Sequence, residues 1–509
     1  MTSRSKNSVR NIIAGFANRI VLIVLPFIAR TAILYKLGSD YLGLGSLFTS
    51  ILMVLNLSEL GFGSALVYSM YKPIAEGNKT MICSLLALYR KVYRYIGLFI
   101  LVGGILFAPF IRTVIKGDVP NDINIYVLYF IFLLNSSISY FAFAYKKALL
   151  TAYQRNDIVS TVNTVVSICV NVIQIAILFI IPNYYFYVIV YPIFTLIDNI
   201  ATQIITKRKY PDLIPVGLVP KESKSKIKEH VIGIALQKFC STSRNSFDSI
   251  AISMFLGLTS IAIYGNYYYV MISIHAFLYQ IPQAIRASVG NAVATETQEK
   301  NYNLFNSMCL IYIWISGVCT VCLLCVYQAF MEVWMGKDML LPMSSVFLLC
   351  LYFVLLCLSD VSALYKDAAG LWWHGRFRVL IEAIANLILN FLLGWLWGIN
   401  GILLATIITI TFVGHGYGGW IIFHNYFTKY SFLKFAGSQF LYLLIIGFVS
   451  IVTLKICSLL TYIGVLGIIL RLILSFGIAN MLFWGILRFH PHYSQSIAFL
   501  KNIKKTVKK

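Results

Sequence analysis

Four cations stand where a lipid bilayer would be. Arg19 and Arg30 fall in one apolar stretch, and Lys238 and Arg244 fall in another about 220 residues later. An Arg or Lys at the centre of a membrane helix costs roughly 2.5–3.5 kcal/mol on insertion scales, so such a residue lines a cavity or meets a partner. The planar fork of a guanidinium matches phosphate oxygens two at a time. Cations at matching places in two helices therefore predict a chamber for an anion.

Eleven residues separate Arg19 from Arg30. At 100° per residue that is about 20° past three turns, so both guanidinium groups share one helix face. Pro26 between them removes a backbone bond to Leu22 and predicts a bend. The pair reads as a ladder for an anion. The alternative is that Arg30 snorkels to outer headgroups while Arg19 pairs with Glu59, in the run Ser58-Glu-Leu-Gly-Phe-Gly63. That run sits on the second, inward-running span, at the expected depth of Arg19. Glu59 there is either a salt-bridge partner or a proton acceptor.

Arg244 and Asp248 are four apart and so adjacent on one helix face. Lys238 lies nearer the cytoplasm, and Ser241, Thr242, Ser243, Asn245 and Ser246 make the helix too polar to face lipid. It is expected to line water. Among the remaining intramembrane groups, Asp198, Asp360 and Glu382 lie toward cytoplasmic ends, within reach of Lys207, Lys366 or Arg378, with a coupling-ion site as the alternative. His275 and His415 read as packed or hydrogen-bonded. Arg471 is a candidate contact for a lipid tail or groove. Cys319, Cys322 and Cys325 drift around a helix at steps of three and read as small packing residues rather than metal ligands. Tyr267-Tyr-Tyr269 and Trp372-Trp373 read as interfacial belt residues, with sugar stacking as the other use.

The elements that must hold these residues follow from composition. The 509 residues are 59% hydrophobic and 12% charged, with a mean hydropathy of +0.81. That charged fraction is about half the globular norm and marks a polytopic membrane protein. A spanning helix needs roughly 20 mostly apolar residues. About fourteen stretches qualify, near 11–35, 42–69, 93–114, 123–145, 158–181, 184–206, 230–256, 260–285, 304–330, 342–365, 379–397, 399–423, 434–454 and 461–487. They are too long for outer-membrane strands and lack their alternation. The basic start, Met1 to Arg10, precedes an apolar run too long for a signal-peptide core, and it is expected to be a retained first helix.

Net charge is +23, from 41 Lys and Arg against 18 Asp and Glu. Thirty-one of those cations fall in the termini and alternate loops, and only Lys36, Arg112, Lys116, Lys337 and Lys455 fall in the opposite loops. Such a bias places both termini in the cytoplasm and explains the charge without nucleic acid.

The chain also repeats itself. Asn11-Ile-Ile-Ala-Gly and His230-Val-Ile-Gly-Ile open comparable helices, Arg19 aligns with Lys238, Leu37-Gly38 with Leu256-Gly257, and Tyr145-Lys146 with Tyr365-Lys366, all at an offset near 220. Six spans per repeat is an even number, so the repeats are parallel and related by an axis along the membrane normal. The expected organisation is a first lobe over 1–206, a cytoplasmic linker over 207–229, a second lobe over 230–423, and two further helices with a basic tail over 424–509. Outer loops hold about ten residues at most, too few for a catalytic domain. No phosphate-cradling Walker loop or paired metal-ligand motif is present in the sequence, so an enzyme is not expected.

Ser58-Glu-Leu-Gly-Phe-Gly-Ser-Ala-Leu-Val67, Ala385-Asn-Leu-Ile-Leu-Asn390 and Gly398-Ile-Asn-Gly-Ile-Leu-Leu-Ala-Thr406 resemble the polysaccharide transporters of the multidrug/oligosaccharidyl-lipid/polysaccharide exporter superfamily. The likeness runs over nearly the whole chain. It implies two six-helix lobes forming a V, with the first, second, seventh and eighth helices facing a central cavity. It implies Wzx-type flipping of undecaprenyl-pyrophosphate-linked repeat units across a bacterial inner membrane, for O-antigen, capsule or exopolysaccharide. The family's cavity cations correspond in role to Arg19, Arg30, Lys238 and Arg244, with Glu59 and Asp248 as cavity acids. Expected partners are the lipid-linked oligosaccharide, membrane lipids, and the polymerase and chain-length proteins of a glycan pathway. No cofactor is expected, and an H+ or Na+ gradient is the candidate drive. The rival readings are a multidrug or toxin antiporter, a lipid-II-type flippase, and a membrane polymerase or acyltransferase.

Overall fold

The computed structural model describes the backbone of residues 3–56, 62–371, 374–460 and 464–499, and within these the side chains outside 3–17, 64–65, 222–223, 225–226, 229–230, 232–243, 284, 287 and 376. Every regular element among the described residues is helical. The first nine are α1 (Ser3–Lys36), α2 (Ser39–Leu55), α3 (Phe62–Ala75), α4 (Lys79–Phe107), α5 (Ile125–Phe141), α6 (Tyr145–Ala152), α7 (Asn156–Ile180), α8 (Tyr184–Lys209) and α9 (Lys221–Leu256). There follow α10 (Leu258–Leu278), α11 (Gln280–Thr295), α12 (Gln298–Met335), α13 (Met343–Ala368), α14 (Arg376–Thr409), α15 (Gly418–Asn425), α16 (Phe432–Cys457) and α17 (Gly464–Leu487). Among the described residues nine helical stretches are long and apolar enough to cross a membrane, or ten if α5 and α6, bent by 51° at their junction, form one span. The protein is a multi-pass membrane protein.

Each of the fourteen expected spans falls on helix, and the differences lie in how the helices break. The span expected at 42–69 is carried by α2 and α3, with 57–61 outside the described residues. The one at 260–285 is divided between α10 and α11. The two expected at 379–423 form one apolar stretch divided at Gly398, whose φ of 57° and ψ of −133° reverse the chain. A Cβ at Gly401 would stand 1.8 Å from the Leu393 carbonyl oxygen, so the backbones meet there with no room for a side chain. Asn400 fixes the turn by accepting from Ser345 Oγ at 2.6 Å and donating to Ser344 Oγ at 3.0 Å.

Gly38 and Gly257, aligned in sequence, have φ of 111° and 88° with ψ near 180°, and each separates the first helix of a repeat from the second. Only glycine takes that combination without strain.

Packing divides the chain into two compact units, Met1–Ala262 and Ile263–Lys509. In the first, α1 packs on α7, α5 on α8, and α9 on α2 and α3. Lys116 joins α9 to the segment after α4: its N–H donates to Ser253 O at 3.2 Å and its Nζ to Phe255 O at 2.5 Å. A cation at the exposed carbonyls of a helix C-terminus is favourable. The packing boundary thus falls after α9, whereas the repeat boundary read from sequence falls before it. α8 runs on to Lys209 and α9 begins at Lys221, so the expected linker over 207–229 shortens to the segment between them. That segment lies along the first unit, where Asp212 meets Lys79 at 2.7 Å, Leu213 O accepts from Lys146 Nζ at 3.3 Å, and Gly217 packs against Ser84.

In the second unit α12 is the central helix, packed on α13, α16 and α17. Between α14 and α15 the chain forms a π-helix, Ile410–Tyr417. A wider turn leaves carbonyls without their usual donors, and Arg378 Nη1 satisfies that of Gly414 at 3.3 Å while pairing with Glu382 at 2.9 Å.

Candidate functional site

Arg19 and Arg30 lie on α1, both half-buried. Their neighbour Asn18 holds the helix to α7, donating to Thr164 Oγ1 at 2.9 Å and Ser160 O at 3.3 Å. The Nε of Arg19 is buried with no hydrogen-bond partner among the described residues. Arg30 stands within electrostatic reach of the Tyr184 and Tyr187 phenols on α8. Pro26 sits inside α1, which continues through it to Lys36.

Arg244 and Asp248 are one turn apart on α9, Arg244 half-buried and Asp248 fully buried. Ser246, Ser249 and Ser253, on the same helix, are buried too. The polar side of α9 is therefore enclosed at these positions, where α9 meets α2 and α3. Lys238 lies on α9 with its side chain outside the described residues, and Glu59 and Trp372-Trp373 lie outside them altogether. Arg19, Arg30, Lys238 and Arg244 all belong to the first compact unit.

Arg471, the candidate tail contact on α17, donates from Nη2 to Leu460 O at 3.2 Å. It thereby ties α17 to the turn after α16, which commits one of its five donors.

Two of the three acid pairings expected from sequence are replaced. Asp198 pairs with Lys147 rather than Lys207, because the bend between α5 and α6 brings α6 against α8. Asp360 accepts from Tyr312 at 2.7 Å and lies 3.1 Å from His275 Nε2, rather than meeting Lys366. Glu382 meets Arg378 as expected. With Cys357, His275 and Asp360 form a group whose ligand atoms lie within 4.8 Å of one another, the metal-sized cluster found among the described residues. Sequence reasoning missed it because the three sit on α10 and α13, 85 residues apart at the extremes, with no motif spacing. Cys319, Cys322 and Cys325 carry free thiols.

Outside the spans, charge pairing is local. Lys79 and Asp212 shift each other, the lysine upward and the carboxyl downward, chiefly through their hydrogen bond. Arg155 is raised in the same way by its two-pronged bond to Asp157 at 2.8 and 2.9 Å.

The architecture has solved counterparts. A structure described as the lipid II flippase MurJ in an inward closed conformation superposes with a TM-score of 0.68 at 14% identity, covering 94% of this chain and 99% of that one. An inward-facing multidrug resistance MATE family transporter of the MOP superfamily gives 0.60 at 13% identity, over 81% and 98%. A MOP superfamily transporter from Pyrococcus furiosus, described as having a binding pocket of reversed polarity, gives 0.56 at 14% identity, over 84% and 97%. No protein-family model matches the sequence. No curated protein matches it either. The chain has the fold of MOP superfamily transporters, and these structural neighbours are described as a flippase and as transporters.

Proposed function

We propose that the chain is a flippase of this superfamily that moves undecaprenyl-pyrophosphate-linked oligosaccharide units from the cytoplasmic to the outer leaflet by alternating access. The observation that carries the reading is the placement of Arg19 and Arg30 on the apolar α1 and of Arg244 on the polar, enclosed side of α9 in one compact unit, with the Arg19 Nε buried and without a hydrogen-bond partner among the described residues. A pyrophosphate offers the oxygens that such groups need, and its charge offsets repulsion among them. The sugars require a wet chamber, and the polyprenyl tail can stay in lipid. Binding must favour one of the two access states to drive the change. Likeness to a lipid II flippase supports a polyprenyl-pyrophosphate cargo and also keeps lipid II itself as a second reading.

The test is reconstitution of the purified chain in vesicles with three cargoes: a fluorescent undecaprenyl-pyrophosphate oligosaccharide, fluorescent lipid II, and a cationic dye. The proposal expects flipping of the oligosaccharide carrier, with lipid II slower and the dye untouched. Preference for lipid II would move the assignment to peptidoglycan precursors. Gradient-driven dye export without lipid flipping would identify a multidrug antiporter and overturn the proposal.

A further inference from the structure

At the end of the first unit that the Lys and Arg pattern assigns to the cytoplasm, α4, α6, α8 and the segment after α8 enclose a cavity of about 250 Å³. Its wall carries Arg90, Lys146 and Lys207, with Tyr145, Gln203 and Tyr210 among them. Among the described residues no Asp or Glu lines it. The carboxylates nearby are already engaged, Asp198 by Lys147, Asp157 by Arg155 and Asp212 by Lys79.

Two of the three cations are held in place, and Lys207 is exposed at the end of α8. Lys146 is 4% exposed and anchored to Leu213 O. It stands within electrostatic reach of Arg90, which hydrogen-bonds the Tyr145 hydroxyl. Lys207 lies in the last turn of α8. Gln203, one turn earlier, has its Oε1 buried without a hydrogen-bond partner. Rotation of that amide would turn its N–H donors to a bound anion.

We propose that this cavity is a phosphate-binding site, separate from the intramembrane arginines, which takes the phosphodiester headgroup of an anionic membrane lipid or a free phosphate. Like charges collected around one hollow repel, and an anion bound between them reverses that cost. Arg90 supplies a fork, Lys146 and Lys207 supply point charges, and the two phenols supply further donors. At about 30 Å³ per water, 250 Å³ holds roughly eight waters. That is room for a phosphate and a short polyol and too little for an oligosaccharide. Basic pockets between membrane helices on the cytoplasmic side are suited to anionic headgroups, whose acyl chains remain in the bilayer.

The test uses the full-length protein. Native mass spectrometry would count retained phosphatidylglycerol against phosphatidylcholine, and titration calorimetry would measure binding of inorganic phosphate. The parent should retain phosphatidylglycerol or bind phosphate, and Arg90→Gln/Lys207→Gln should weaken that binding at least tenfold. Arg90→Lys/Lys207→Arg should keep most of it. Lys207→Gln alone, at an exposed helix end where folding is undisturbed, should weaken it about threefold. Loss confined to the lipid identifies a headgroup site, and loss confined to phosphate identifies a soluble anion. The proposal is overturned if the parent binds neither ligand, if phosphatidylcholine is retained as well as phosphatidylglycerol, or if the Gln variants bind as the parent does.

Discussion

At the scale of single residues, two different uses of arginine inside a membrane protein can be separated. Arg378 is structural: its Nη1 donates to both Glu382 and the Gly414 carbonyl, although its Nε, like that of Arg19, is buried with no hydrogen-bond partner among the described residues. Removing one side of a buried pair leaves the other charge uncompensated, at about 3–5 kcal/mol. Glu382→Ala should therefore lower the thermal unfolding midpoint in detergent sharply, and Arg378→Met/Glu382→Leu should recover much of the loss. Equal destabilisation by the single and double variants would refute the pairing account. Arg19 is instead assigned to the cargo. Arg19→Lys keeps the charge but loses the fork, so vesicle flipping should fall about tenfold, the worth of one charge-assisted hydrogen bond, without a change in unfolding midpoint. The type and rough depth of these residues were legible in the sequence, because an arginine in an apolar run costs too much to be idle. Their partners were not. Lys147 reaches Asp198, and His275 reaches Asp360, only through the folding of segments 51 and 85 residues apart.

At the scale of elements, the positions of the helices were legible and their breaks were less so. About 20 apolar residues announce a span whatever its neighbours do. The reversal at Gly398 was visible as a short Gly-Ile-Asn-Gly turn. The bend between α5 and α6, with Phe143 at a φ of 63°, and the π-helix at Ile410–Tyr417 carry no comparable sign in composition. Gly398→Ala should cost about 1–3 kcal/mol, since its backbone conformation is strained for any side chain. Gly437→Ala, inside α16 with open space around its Cβ, should instead be neutral or stabilising by up to about 1 kcal/mol. Comparing the two unfolding midpoints checks the assignment of the turn. The linker offers a pH test. The carboxyl of Asp212 is lowered by Lys79, so its contribution is complete above the ordinary value of 3.8 and is lost as pH falls through its depressed value. Lys79 is raised, so its contribution is complete below 10.5 and is lost as pH rises through its elevated value. Limited proteolysis after residue 207 should be flat across neutral pH and accelerate at either extreme. Acceleration between about pH 6 and 8 would point to another group.

At the scale of the whole molecule, the sequence repeat and the packing draw different lines, and α9 lies between them. It would open the second repeat read from sequence, yet its C-terminal carbonyls are bonded to Lys116 and it packs on α2 and α3. A repeat records ancestry of helices, whereas a compact unit records burial, so only the former was readable from residue spacing. The consequence for function is that Arg244 shares a unit with Arg19 and Arg30. Under the proposed function these arginines act together on a pyrophosphate cargo. The most direct measurement is vesicle flipping of a fluorescent undecaprenyl-pyrophosphate oligosaccharide by the Arg19→Ala/Arg244→Ala variant, matched to the parent in amount inserted and in unfolding midpoint. The account predicts flipping at the level of protein-free vesicles. Flipping at the parental rate would contradict it.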